Sequence, residues 1–331
     1  MKAALLKGKE QMVFTGTDRP AAGPGEVLLR VQNCGICGTD VHLFRGEPGS
    51  AEVKFPVILG HELSGIVEET GEGVTTLKKG DRVTVDPNIY CGLCPHCRRG
   101  RPHLCDRLQA VGVTRNGGMA EFAAVPEANC HVLPDNVSFE EGALVEPLGC
   151  VLHGVKQLRL SFGQSVLIIG GGFIGMLFLQ VLRQYAPARL VVSEPVEAKH
   201  DLIRSFGADE VFHPKALRPE EAFDIVVECV GRPETLEAAV RAAGKGGQVL
   251  AFGVSSPSAE MRISPYEIFK KELTIKGSFI NPHTHREAIE LIRRGIVRLT
   301  PLISHRIGLS DVPDVLRRYP ELGASKVMIN C

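Results

Sequence analysis

The chain lacks a net charge: 38 lysines and arginines stand against 38 aspartates and glutamates. That balance removes the electrostatic reason to expect a general binder of nucleic acid or of membrane surfaces, which are polyanions that select basic patches. The opening MKAALLKGKE lacks the apolar core and cleavage context of a secretory signal, so a cytoplasmic protein is expected. Internal repeats and low-complexity tracts are absent as well. One segment approaches a membrane span: SVLIIGGGFIGMLFLQVL, residues 165–182, has almost no polar side chains and carries a GxxxG pair at Gly171 and Gly175. Three consecutive glycines after VLII divide it into a strand, a tight turn and a helix, so a buried βα unit is expected there instead. At 331 residues the chain can form two domains, each with its own core.

In a reducing compartment, ten cysteines read as metal ligands or small apolar core residues rather than as disulfides. Cys34, Cys130, Cys229 and Cys331 take the core or surface reading. Cys91, Cys94, Cys97 and Cys105 are spaced C-x2-C-x2-C-x7-C in CGLCPHCRRGRPHLC, which suits a tetrahedral zinc site. A ferredoxin run would bring its fourth cysteine after three residues and follow it with proline, whereas Asp106 follows Cys105 here. Zinc held by four thiolates has no vacant position, and catalysis by zinc needs one, so this lobe reads as structural. Any zinc chemistry must use other ligands. Candidates are Cys37 in GICGTDVH, His61 and Glu62 in PVILGHE, and Glu146 and Cys150 in LVEPLGC. Singly, each is also readable as a buried cysteine, a core histidine or a carboxylate at a helix start.

Up to about residue 150, short alternating stretches such as EVLLRV, SGIVEE and DRVTV are separated by turn signals, a β-rich and loop-rich pattern. From about Gln164 apolar runs (VLIIG, RLVVSE, FDIVVECVG, GQVLAFG, LTIKGSF) alternate with helical stretches such as AKHDLIRSFGA and PETLEAAVRAAG, which implies a parallel doubly wound sheet. The segment after Asn281 is small for a domain and is expected to pack back on the first part. Gly170, Gly172 and Gly175 fit G-x-G-x-x-G, with Phe173 and Ile174 between them, after a strand and at the start of a helix. There the backbone N–H groups can face a dinucleotide pyrophosphate. Glu194 ends the next strand and can accept hydrogen bonds from the adenosine ribose, favouring NAD over NADP. A carboxylate about 4 Å from a 2′-phosphate is repelled by roughly 4 kcal/mol per unit charge at an effective dielectric near 20, against about 1.4 kcal/mol for a tenfold preference. The alternative is a solvated carboxylate at a strand end.

Taken together, GICGTDVH, GHELSGIV, the four-cysteine lobe and GGGFIG make the chain resemble the zinc-dependent medium-chain dehydrogenase/reductase family, in its sorbitol (polyol) and threonine dehydrogenase branch. The resemblance implies an α/β fold: a GroES-like β-rich catalytic domain (residues 1–152 and 282–331, zinc lobe at 91–105) interrupted by a doubly wound Rossmann NAD-binding domain (153–281). It implies one catalytic and one structural zinc, NAD, and a homo-oligomer, dimer or tetramer. It makes Cys37 and His61 ligands of the catalytic zinc and Glu62 the third ligand. Glu146 sits beside them, ligating directly or holding water, and the two glutamates exchange roles during turnover. Cys150 competes as a ligand or is a small buried cysteine. Thr39 matches the family's proton-relay hydroxyl, and His42 its relay histidine nearer solvent. Lys199 falls where the family often has an arginine near the ribose, or is an exposed helix lysine; Leu148 and the turn Val230–Arg232 lie along the cofactor path. An arginine-tyrosine pair that shapes the sorbitol site is replaced by GSFIN, with Ile280 and Asn281, which speaks against sorbitol itself.

The activity so implied is NAD-dependent oxidation of a secondary alcohol on a polyol or sugar alcohol, free or phosphorylated, to a ketone. L-Threonine 3-dehydrogenase or another zinc alcohol dehydrogenase is the alternative, and a catalytically silent NAD binder a further one. From a different class comes a zinc-stabilised nucleic-acid module using Arg98, Arg99 and Arg101, against which the zero net charge stands. The expected partner is a small molecule, with neither nucleic acid nor membrane.

Overall fold

The computed structural model describes residues 1–49, 52–217 and 221–331. They form two compact units, Met1–Gly149 with Asn281–Cys331, and Cys150–Ile280.

The first unit is built on the strand Glu26–Ile36, whose run EVLLRVQNCGI is buried at most positions because the strand lies inside a sheet. It pairs antiparallel with Glu62–Thr70, Phe122–Pro126 and Val327–Asn330. The sheet continues through Arg82–Val85 to Cys130–Val132 on one side and to His305–Gly308 on the other. The C-terminal SKVMINC therefore does pack back on the early strands, with Val327 opposite Ile36 and Asn330 opposite Asn33. Leu29, Ile36, Leu63, Val83, Met119, Val327 and Ile329 are among the side chains that fill its core.

The second unit is a six-stranded sheet, parallel throughout, in the spatial order Glu210–Phe212, Arg189–Ser193, Ser165–Ile169, Phe223–Glu228, Ala243–Ala251, Thr274–Gly277. Numbered along the chain this is 3-2-1-4-5-6, so the strand order reverses beside Ser165–Ile169, where such sheets bind dinucleotides. The apolar segment 165–182 resolves into that strand and the helix Phe173–Arg183. Among the described residues no helix is long and apolar enough to cross a membrane. The stretch AKHDLIRSFGA is less helical than its pattern suggests: a 3-10 turn, Glu197–Lys199, precedes a helix of six residues, His200–Ser205.

Candidate functional site

Sheet register assembles the first cluster. Gly35 lies opposite Glu62, and Val327 opposite Ile36, so the end of one strand, the start of a second and the start of the last converge. Cys37 follows directly and caps the helix Gly38–Phe44, His61 immediately precedes Glu62, and Lys326 immediately precedes Val327. One ligand atom from each of Cys37, His61 and Glu62 lies within 4.8 Å of the others. Ligands on one tetrahedral zinc sit about 3.3–3.8 Å apart, so a small closure completes the set. A Cβ on Gly35 would stand 2.0 Å from Glu62 Oε2, so only glycine leaves room for this carboxylate.

The charges also fit a divalent ion. Asp40 is fully buried; it accepts the Cys37 N–H at 2.8 Å and lies 3.4 Å from His61 Nδ1. Lys326, itself buried, donates to both oxygens of Glu62 at 2.8 and 2.9 Å. With Cys37 as the thiolate that metal binding requires, three anions surround one cation. Burial works to lower the His61 pKa, but Asp40 and Cys37 outweigh it and hold that pKa well above its ordinary value. The pocket thus draws in a positive charge, which a zinc ion supplies more fully than a proton does.

Glu146 is buried on the helix Val145–Lys156 but stands outside this ligand group. Asn281 Nδ2 donates to its Oε1 at 3.0 Å and to its backbone carbonyl at 3.3 Å, while Asn281 Oδ1 accepts from Asn88 Nδ2 at 2.6 Å. Cys150, one turn along the same helix, belongs to no potential metal group among the described residues. Thr39 and His42 lie three residues apart on Gly38–Phe44, both half-buried.

The sulfurs of Cys91, Cys94, Cys97 and Cys105 also gather within 4.8 Å of one another. N–H donors from the loop already favour the thiolate at two of them. Leu93 and Cys94 bring Cys91 down to about 6, and the amides of Cys97 and Asp106 lower Cys94. Cys97 is pushed up to about 12 by burial and by the neighbouring Cys94. Four sulfurs this close cannot all ionise without a cation between them, which is the environment zinc satisfies.

In the second unit, Gly170–Gly175 connects Ser165–Ile169 to Phe173–Arg183, which has Gly172 at its N-cap and no side chain capping it. A Cβ on Gly175 would meet the Gly170 carbonyl at 1.9 Å, while one on Gly172 would enter open space. The loop is thus closed by its own backbone on one side and open on the other, beside uncapped N–H groups, as pyrophosphate binding requires. Glu194 is buried; its two oxygens accept the Gly171 N–H and the Val196 N–H, each at 2.9 Å. Lys199 is half-buried in its 3-10 turn, and it is the next residue, His200, whose ring lies 2.8 Å from the Glu194 carbonyl. Leu148 is fully buried. Glu228 shapes the Val230–Arg232 turn, accepting from the Val230 and Gly231 amides and the Thr235 hydroxyl at 2.8–2.9 Å.

Sequence reasoning did not reach Asp40, Lys326 or Glu228, and met Asn281 only as a departure from a family pattern. Asp40 carried a local signal, three residues after Cys37 at a helix start. Lys326 carried only a weak one, a lysine on the edge of a buried strand.

Two family descriptions match the chain: "Alcohol dehydrogenase GroES-like domain" over residues 23–135 and "Zinc-binding dehydrogenase" over residues 174–294. The protein named "Probable D-xylulose reductase A" from Aspergillus fumigatus is 33% identical over 97% of this chain and 93% of its own. D-Arabinitol dehydrogenase 1 from Uromyces fabae is 32% identical over 99% and 97%. A protein from Sinorhizobium meliloti 1021, solved bound to NADP, superposes with a TM-score of 0.95 at 37% identity, covering 100% of this chain and 99% of its own.

Proposed function

The chain belongs to the zinc-dependent medium-chain dehydrogenase/reductase family, and from that membership we propose that it oxidises a secondary alcohol of a polyol or sugar alcohol to a ketone, with NAD as hydride acceptor. The observation that carries this reading is the set Cys37, His61 and Glu62, its histidine and glutamate buried, with a carboxylate in the third place. In it, Met1–Gly149 with Asn281–Cys331 is the catalytic domain, and Cys150–Ile280 binds the dinucleotide.

Cys37 and His61 are the permanent metal ligands, and Glu62 is the third. Lys326 neutralises Glu62 and sets how much of its charge the metal receives. A zinc ion held by Cys37, His61 and Glu62 would supply Lewis acidity to a substrate hydroxyl, and a nicotinamide cofactor held at the glycine turn would supply the hydride acceptor. The hydroxyl proton passes to Thr39 Oγ1 and on to the His42 ring, neighbours at i and i+3 of one helix. Glu146, held by Asn281, orients water or substrate beside the metal. Gly170, Gly172, Phe173, Ile174 and Gly175 present amides to the pyrophosphate, and Glu194 and Lys199 face the adenosine ribose. Cytoplasmic residence and a homo-oligomer, dimer or tetramer, complete the reading by membership in the family.

A substrate panel read by NADH absorbance tests the reaction. The names of the two curated relatives put five-carbon polyols first, so D-arabinitol and xylitol, polyol phosphates and L-threonine are the informative members. Turnover of at least one polyol is expected; rapid turnover of threonine with none of any polyol sinks the proposal.

Cofactor choice is a separate matter, since a relative of 37% identity was solved with NADP. The wild type is expected to use NAD at least tenfold better than NADP in kcat/KM, because Glu194 repels a 2′-phosphate. Glu194→Ala also removes a support of the Gly171 amide, so both cofactors lose affinity, and the ratio is the decisive quantity. It should narrow by about tenfold or more. A wild type that prefers NADP removes Glu194 from this role.

A further inference from the structure

A second group of nitrogen and oxygen donors lies in the first unit, outside everything described above. We propose that Asp86, His131 and His285 form a further binding site for a divalent cation of the zinc class, distinct from the four-cysteine lobe and from Cys37, His61 and Glu62. One donor atom from each of the three lies within 4.8 Å of the others, the same closeness as in the two sites the family implies.

Three remote segments build it. Asp86 follows the strand Arg82–Val85, whose partner Cys130–Val132 carries His131, and the Asp86 N–H donates to the Asn129 carbonyl at 2.7 Å. His285 opens the helix His285–Arg293, in the segment that returns to this unit near the C-terminus. The register of the strand pair and the start of that helix therefore bring the donors together, with no contribution from local sequence spacing.

Two of the three donors have an unmet need that a cation satisfies. His285 is 1% exposed, yet neither of its ring nitrogens makes a hydrogen bond of normal geometry. A buried polar group left in that condition costs about 1–3 kcal/mol. Its Nδ1 stands 3.8 Å from Asp86 Oδ2, too far to bond directly and close enough to share an ion. On Asp86 the two oxygens differ: Oδ1 accepts from the Asn88 amide and side chain at 3.0 and 3.1 Å, which leaves Oδ2 turned to His285. Burial raises the Asp86 pKa, partly opposed by Asn88, so its charge is also short of a counterion.

The two rings have a suitable separation. His131 and His285 are nearly parallel, at 15°, with centroids 5.2 Å apart. Two imidazoles bound to one tetrahedral ion at about 2.1 Å have centroids about 5 Å apart, so the separation already fits, and one ring has to turn out of the stack to aim its in-plane lone pair at the ion. Both rings are neutral at pH 7, their pKa values brought down to about 4, chiefly by burial, with the Val85 backbone opposing this at His285. Neutral rings need lose no proton to bind metal. Two nitrogens and a carboxylate oxygen select zinc-class ions over magnesium or calcium, which take all-oxygen sites. Asn88, held in turn by Asn281 at 2.6 Å, fixes the carboxylate as the outer partners of metal ligands do. The ion would clamp the His285 helix to the strand pair and keep one position open, reached from the side of the half-exposed His131.

The test is metal content of the full chain, dialysed against excess zinc sulfate, desalted, and measured by mass spectrometry. Three zinc ions per chain are expected in the wild type and one fewer in both His131→Gln and Asp86→Asn. Combining His131→Gln with Cys37→Ala should remove two, which separates this site from the catalytic one: a Cys37 variant that loses nothing refutes the catalytic assignment and leaves the His131 difference standing. His131→Gln changes a half-exposed side chain, so it decides the matter if Asp86→Asn fails to fold. A wild type that stops at two zinc ions under saturation, or a third ion retained in His131→Gln, overturns the proposal. The histidine pair is then a stacked polar filling and nothing more.

Discussion

Cys37→Ala is expected to lose one zinc ion per chain and to lower kcat/KM by about 10³-fold or more. The polarisation of an oxygen by a bound zinc ion contributes several kcal/mol to a transition state, and each 1.36 kcal/mol is a factor of ten. Removing one of three protein ligands leaves His61 and Glu62, and Glu62 is already engaged by Lys326 at 2.8 and 2.9 Å, so the remaining pair has little to hold a metal with. The fold should tolerate the change. Cys37 is half-buried, and the bond that closes this helix start runs from its backbone N–H to Asp40, which alanine keeps. Circular dichroism and the melting curve of the variant should therefore stay near wild type while activity falls. Metal content unchanged by the substitution, or full activity with one ion lost, refutes the catalytic assignment.

How far this centre was legible in the sequence follows from how local its parts are. The strand, glycine turn and helix at 165–183 lie within a stretch shorter than twenty residues, so periodicity and turn chemistry suffice to read them, and the apolar run is correctly taken as a buried strand–turn–helix unit. The doubly wound sheet follows from strand-helix alternation, because parallel strands need crossovers of that length. Lys326 is the opposite case. It meets Glu62 across 264 positions, through a register that pairs Val327 with Ile36, and nothing within either segment encodes that pairing. Asn281 shows a third kind of limit. Measured against an arginine-tyrosine pattern it reads as something missing, whereas it donates to Glu146 and accepts from Asn88, a role that exists only once three segments have met.

Cys94→Ser is expected to cost the lobe its fold and the chain one zinc ion, with the melting temperature lower by roughly 10 °C or more. The segment has little else to hold it. Its regular structure is the four-residue helix Pro95–Arg98, the 3-10 turn Pro102–Leu104 and the two-residue strands Asn88–Ile89 and Gln109–Ala110, and its Leu93 is exposed. Structural zinc in small peptides binds with about 10–16 kcal/mol, as much as the whole stability of a typical domain, so a loop that buries so little takes its order from the metal. Losing even about 5 kcal/mol of it moves the melting point by roughly 10–20 °C in a unit of 150–250 residues. Serine keeps the size of the side chain but offers zinc a poor ligand, so the effect comes from coordination rather than from packing. Arg98 and Arg99 are exposed on this lobe and provide a direct readout, because trypsin cuts only where the backbone can open into its site. In the wild type these bonds should resist cleavage while zinc is bound; in Cys94→Ser they should be the first to go. A variant that retains its zinc and its resistance to trypsin shows that the lobe is held by its own contacts and that the four sulfurs are dispensable to it.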